Sequence, residues 1–99
     1  MAKKICPDDR WSWVEVDLST LRRNTTAFKR SLARGVRMMC VVKADAYGHG
    51  AVQVSRTLQA LGADYLAVSS IDEAAELRHG GITMPILILG HTPREQVAA

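Results

Sequence analysis

The stretch Val41–Gly50, VVKADAYGHG, ends an apolar run on a lysine and then places an aromatic residue and a Gly-His-Gly just behind it. The run in front, Met38–Lys43, is nearly continuous in apolar character, as strands buried on both faces of a parallel sheet are. Three other short apolar runs stand out: Val14–Asp17, Tyr65–Ser69 and Ile86–Leu89. The four begin at positions 14, 38, 65 and 86, so their starts lie 24, 27 and 21 residues apart. That leaves room for a strand, a turn and a helix each time, and is too long for hairpins. The spacing therefore predicts an α/β chain of parallel strands alternating with helices.

The segments between the strands carry helix signals. Leu18, Leu21, Thr25, Phe28 and Leu32 recur at three and four residues, one face of a helix, with Gly35 placed to stop it. Ala51, Val54, Leu58 and Leu61 repeat the spacing ahead of Gly62. In SIDE, Ser70 can cap a helix and Glu73 can reach back to complete a capping box, and the helix they open runs to Gly80–Gly81. In HTPRE, Thr92 reads as a cap, Pro93 as the first helical residue and Glu95 as the third. Four parallel strands alone would leave bare edges and an uncovered face. The chain thus reads as the front part of a larger α/β design, or as a short protein that closes its sheet with a second copy.

Composition bounds the function. The 99 residues are 47% hydrophobic and 23% charged, the balance of an ordinary soluble domain. No apolar run approaches the roughly 20 residues of a membrane span, and the N-terminus lacks the apolar segment of a secretory signal. The expectation is a cytoplasmic protein with no membrane partner. Cys40 reads as a small buried residue and Cys6 lies in a polar leader, residues 1–12, with no disulfide framework in sight. Arg22, Arg23, Lys29, Arg30, Arg34 and Arg37 fall in a stretch without acids, which could be a nucleic-acid patch. No aromatics alternate with them to stack on bases, so a solvated helix face is the preferred reading. His79 and His91 have no partner at metal-ligand spacing, and no metal is assigned.

Lys43 has two readings. It can snorkel to solvent or pair with an acid such as Asp45. Alternatively it can present a partly desolvated amine that attacks carbonyls and forms a Schiff base. The C-terminal end of a barrel strand, where Lys43 is expected, is the active-site face of such barrels. Tyr47 by itself reads as a packed loop aromatic and His49 as a surface turn histidine. Gly48 and Gly50 suit either a close backbone approach with positive φ or a plain turn. Asp45 is expected to orient the loop by bonding its side chain to backbone, without a catalytic role.

VVKADAYGHG resembles the pyridoxal-phosphate lysine motif of the alanine racemase family. The resemblance extends to WVEVDLSTLRRN, Trp13–Asn24, and to YLAVSSIDEAAELRHGGITMPILILG, so that it covers about Trp13–Gly90. It implies an α/β barrel, of which residues 13–99 form the truncated N-terminal part, followed in the family by a mostly β domain. The opening strand could belong with that later domain, which would make Met38–Lys43 the first barrel strand. The resemblance implies that Lys43 holds pyridoxal 5'-phosphate as an internal aldimine and serves as general acid/base on one face of the substrate α-carbon. It implies that Tyr47 contacts the cofactor phosphate. It further implies an alanine substrate, with serine as the alternative, and a homodimer whose second base is a tyrosine from the partner's later domain. A non-enzymatic pyridoxal-phosphate carrier built on a single barrel is the competing reading, and AYGHG speaks against it.

Overall fold

The computed structural model describes residues 2–4 and 12–98. Cys6 and most of the expected leader lie outside the described residues. Two short strands open the chain, β1 at Ala2–Lys4 and β2 at Glu15–Asp17. They pair antiparallel, with Lys3 opposite Val16. The opening apolar run is therefore not the first strand of the parallel sheet.

That sheet has three strands in the order β3 (Met39–Val41), β4 (Tyr65–Val68) and β5 (Ile86–Ile88), all parallel. Each falls inside an expected apolar run and each is followed by helical structure. Helix α1 spans Leu18–Ser31, α2 is the short segment Lys43–Tyr47, α3 spans Ala51–Ala60 and α4 spans Ile71–His79. Asp17 caps α1, its Oδ1 accepting from the Ser19 and Thr20 amides at 2.9 and 3.1 Å. Ser70 caps α4 as expected, accepting from the Glu73 amide at 3.3 Å. Two expected boundaries move. Helix α1 ends at Ser31 with Leu32 already extended, so Gly35 lies in the following turn and not at the cap. Thr92 does not cap, because Pro93 stays extended (ψ 143°) and only a 3-10 turn, Arg94–Gln96, follows.

The register decides which side of the sheet is core. Cys40, Leu66 and Ile86 are paired across the three strands and share one face with Val42, Val68 and Ile88. That face packs on Val54 and Leu58 of α3 and on Ala74 and Leu77 of α4. Leu66, Val68, Leu77, Ile82 and Val42 are almost completely buried there, each worth about 1.5–3 kcal/mol of transfer free energy. The opposite face carries Met39, Val41 and Leu87, which are 45%, 42% and 44% exposed. Helices thus cover one side only, as in an arc of a (β/α) barrel whose other side looks toward the barrel interior.

Long side chains tie the N-terminal ends of the strands together. Lys29 donates to the Leu61 and Gly62 carbonyls at 3.2 and 3.0 Å, which caps the C-terminus of α3. Arg56 does the same for α4, forking onto the Gly80 carbonyl at 3.0 and 2.9 Å. Gln59 Oε1 accepts from the Thr83 and Met84 amides at 2.8 and 3.0 Å. Asp64 accepts from the Met38 amide at 2.7 Å. Part of the basic stretch is thereby spent on the fold: Lys29 as above, Arg37 on the Tyr65 hydroxyl at 3.1 Å and Arg23 on Thr20 Oγ1 at 3.1 Å.

Candidate active site

The chemistry-bearing residues gather where β3 ends. The Val42 amide donates to the Ala67 carbonyl at 2.9 Å, the last tie to β4. Val42 then leaves the extended region (φ −123°, ψ 23°) and Lys43 follows, half-buried, at the C-terminal mouth of the sheet. Beyond it the backbone winds left-handed. Ala44, Asp45 and Ala46 have φ/ψ of 52/48°, 57/42° and 54/45°, and Tyr47 has φ 55°. An L-residue in this form costs about 1–2 kcal/mol relative to the right-handed one. Four in succession persist only where the surroundings over-determine them.

The compensations are visible. The Ala46 amide donates to the Val42 carbonyl at 2.9 Å, Gly48 to Ala44 at 3.2 Å, and Gly50 to Asp45 at 2.9 Å. Asp45 turns its Oδ1 to the Ala51 amide at 2.8 Å, which fastens the turn to the start of α3. This is the orienting role expected of Asp45, and it directs that oxygen to backbone instead of to Lys43. The Ala46 methyl is buried in the core. His49 is exposed, with Nδ1 3.0 Å from the Ala46 carbonyl oxygen. Gly48 and Gly50 take φ of 89° and 93°, so positive φ is what these glycines supply.

Lys43, just ahead of the left-handed turn, and Tyr47, the last left-handed non-glycine residue and 61% exposed, lie four residues apart on one loop. That loop therefore carries an amine and a phenol O–H. An amine suits a carbonyl and a neutral phenol donor suits a phosphate oxygen, so the donor set fits pyridoxal phosphate. Tyr65, the other tyrosine, begins β4 at the opposite end of the strand, about 10 Å away at 3.3 Å per residue.

One residue escapes a reading from sequence alone. Glu73 was expected to reach back to its own cap. The Ser70 amide is among the groups that act on its carboxyl, but the carboxylate also reaches further: Oε2 accepts from the Ala44 amide at 2.7 Å, and Oε1 accepts from the Ser69 amide at 2.7 Å and from the Ser69 hydroxyl. The Ser69 hydroxyl bond, helped by the amides of Ser69, Ala44 and Ser70, holds the Glu73 carboxyl below its ordinary range. The capping-box pattern gave Glu73 its place on α4, but nothing in it points 29 residues back to the lysine loop.

A family model for the N-terminal domain of alanine racemase matches residues 16–99. The chain belongs to the alanine racemase family. It is 51% identical over 83 residues to alanine racemase 2 of Oceanobacillus iheyensis, and 50% identical over 90 residues to the alanine racemase of Desulfovibrio desulfuricans. These matches cover 84% and 91% of the chain but 21% and 24% of the relatives. Among solved structures, alanine racemase of Clostridium difficile 630 superposes with a TM-score of 0.75 at 50% identity, over 79% of this chain and 21% of that one. The Bacillus anthracis alanine racemase with bound L-Ala-P superposes with 0.82 at 45% identity, over 89% and 23%. The three parallel strands and their helices are thus a portion of the family's α/β barrel, and the chain spans about a quarter or less of the length of these relatives.

Proposed function

We propose that the chain is the N-terminal barrel portion, residues 13–99, of a pyridoxal-phosphate-dependent amino-acid racemase acting on alanine. The observation that supports it most is Lys43, set just ahead of a strained left-handed turn at the C-terminal mouth of the sheet, inside a stretch about 50% identical to alanine racemases. In this reading Lys43 holds the cofactor and Tyr47 donates its O–H to the phosphate. When bound, pyridoxal phosphate supplies an electron sink for negative charge at the substrate α-carbon. Freed by the substrate amine, the Lys43 amine takes and returns the α-proton on one face.

Racemisation needs a second base on the other face. Tyr65 is the one other tyrosine of the chain, and it sits at the wrong end of β4 with its hydroxyl held by Arg37. The family resemblance implies a tyrosine from the later domain of a partner subunit as the second base, with a homodimer in the cytoplasm as the expected assembly. Serine is the alternative substrate. The test is full-length protein assayed for conversion of L-alanine to D-alanine, with L-serine in parallel. Visible absorbance that disappears with borohydride, and in Lys43→Ala, is the expected result. A full-length protein that racemises neither amino acid overturns the proposal, and cofactor uptake without turnover would favour the carrier reading.

A further inference from the structure

Glu73 stands 30 residues from Lys43 in sequence and belongs to a different βα unit, yet one of its oxygens is bonded to the peptide that follows the lysine. The geometry points to Glu73 as a positioning residue that clamps the Lys43–Ala44 peptide to the end of β4. The inference rests on the racemase reading for what Lys43 does, but the clamp itself is a property of this chain.

Three features make the contact more than a surface bond. First, both carboxylate oxygens are used, Oε2 on the Ala44 amide and Oε1 on the Ser69 amide and hydroxyl. One side chain thus bridges the C-terminal ends of β3 and β4, the two strands that flank the mouth. Second, Ala44 is the first left-handed residue (φ 52°), so the bond is made where the backbone changes hand. The carboxylate fixes the peptide plane on which the direction of the Lys43 side chain depends. Third, Glu73 is itself anchored, because it lies in the first turn of α4 and its own amide is taken by Ser70. Negative charge is favoured there by the helix dipole, and the bonds from Ser69, Ala44 and Ser70 hold the carboxyl below its ordinary range. Lysine orientation is the quantity such a clamp would control, and misplacement of a reacting group by about 1 Å can cost on the order of 100-fold in rate.

The carboxylate is not replaceable by an amide. Two backbone N–H donors converge on two different oxygens, whereas glutamine has a single acceptor oxygen and would turn its NH2 toward one of those donors. Aspartate is one methylene short of the same span. Gln59 provides a matched control. Its Oε1 also receives three donors, the Thr83 and Met84 amides and the Thr83 hydroxyl, but at the opposite end of the strands.

The experiment uses the full-length protein with pyridoxal phosphate. Glu73→Gln should release the cofactor about tenfold faster, the scale of one lost charge-assisted hydrogen bond. It should also alter the visible circular dichroism of the bound cofactor and lower kcat with little change in KM for alanine. Gln59→Ala should lower the melting temperature at least as much while leaving cofactor release and the visible spectrum as in the wild type. Wild-type release from Glu73→Gln, or equally fast release from Gln59→Ala, overturns the inference. Should Glu73→Gln not fold, Ser69→Ala removes only the hydroxyl donor; faster release supports the clamp and an unchanged rate overturns it. Hydrogen exchange at the Ala44 amide in cofactor-free protein separates the two readings. Protection lost in Glu73→Gln upholds the clamp even if the wild type racemises nothing, and protection that survives the substitution overturns it.

Discussion

Replacing Ala44 by glycine should stabilise the protein, the reverse of what alanine-to-glycine does in an ordinary helix. Ala44 holds φ 52° and ψ 48°, and its side chain is exposed, so no buried methyl is lost. Left-handed backbone costs an L-residue about 1–2 kcal/mol, a cost glycine escapes. Against this stands the extra freedom glycine gives the unfolded chain, about 0.5–1 kcal/mol. The balance is about 0–1.5 kcal/mol in favour of Ala44→Gly. Ala75 is the comparison: it is exposed and lies in the right-handed helix α4. There the same change removes no strain and should cost about 0.8–1 kcal/mol. Urea unfolding of cofactor-free full-length protein, with both variants read at a common slope, measures the difference. Ala44→Gly unfolding at lower urea than the wild type, by as much as Ala75→Gly does, would refute the assignment of strain to this turn.

Other expectations follow from burial and hydrogen bonding. Leu77 is 1% exposed between α4 and the sheet, so Leu77→Ala should cost about 2–5 kcal/mol in the same unfolding assay. Ser55 is fully buried and its Oγ has no partner among the described residues; Ser55→Ala should raise stability by about 1 kcal/mol or more, since it removes an unsatisfied group. Glu73 has its carboxyl lowered from the ordinary 4.5, so its contribution is complete above the unfolded-state value and fades as pH falls through the lower folded one. An acid-unfolding curve should therefore flatten in Glu73→Gln, and an identical curve would count against the clamp. Burial, and then the charge of Asp64, push the Cys40 thiol up. Iodoacetamide should label Cys40 more slowly in the native protein at neutral pH than after unfolding, by mass spectrometry.

Much of this architecture was legible from residue pattern because it is local. Apolar runs placed β3, β4 and β5, three- and four-residue periodicity placed the helices, and Ser70 announced its own cap. Lys43 and Tyr47 enter as site residues by resemblance alone, whereas the backbone bond of Asp45 follows the habit of short acids to bond nearby backbone. What stayed hidden depends on contacts between distant parts of the chain. The resemblance allowed for an opening strand outside the sheet, but the partner of β2 was hidden, because Ala2–Lys4 carries no strand pattern of its own. The left-handed turn is written in Ala-Asp-Ala-Tyr, of which only Asp45 has any inclination to positive φ. Its cause lies in Glu73, Ala51 and the buried Ala46 methyl. Thr92 failed as a cap although its pattern was complete, because Pro93 remains extended.

The ties made by Lys29, Arg56, Gln59 and Asp64 all lie at the end of the strands away from Lys43. Assembly of the βα units and furnishing of the mouth are thus entrusted to separate sets of residues. The consequence is a scaffold in which the loop after β5 can be lengthened or exchanged without touching these ties, whereas the loop after β4 is fixed by Ser69, which holds Glu73, and Ser70, which caps α4. An altered loop grafted after β5, with the four ties kept, should leave the folding of this unit unchanged.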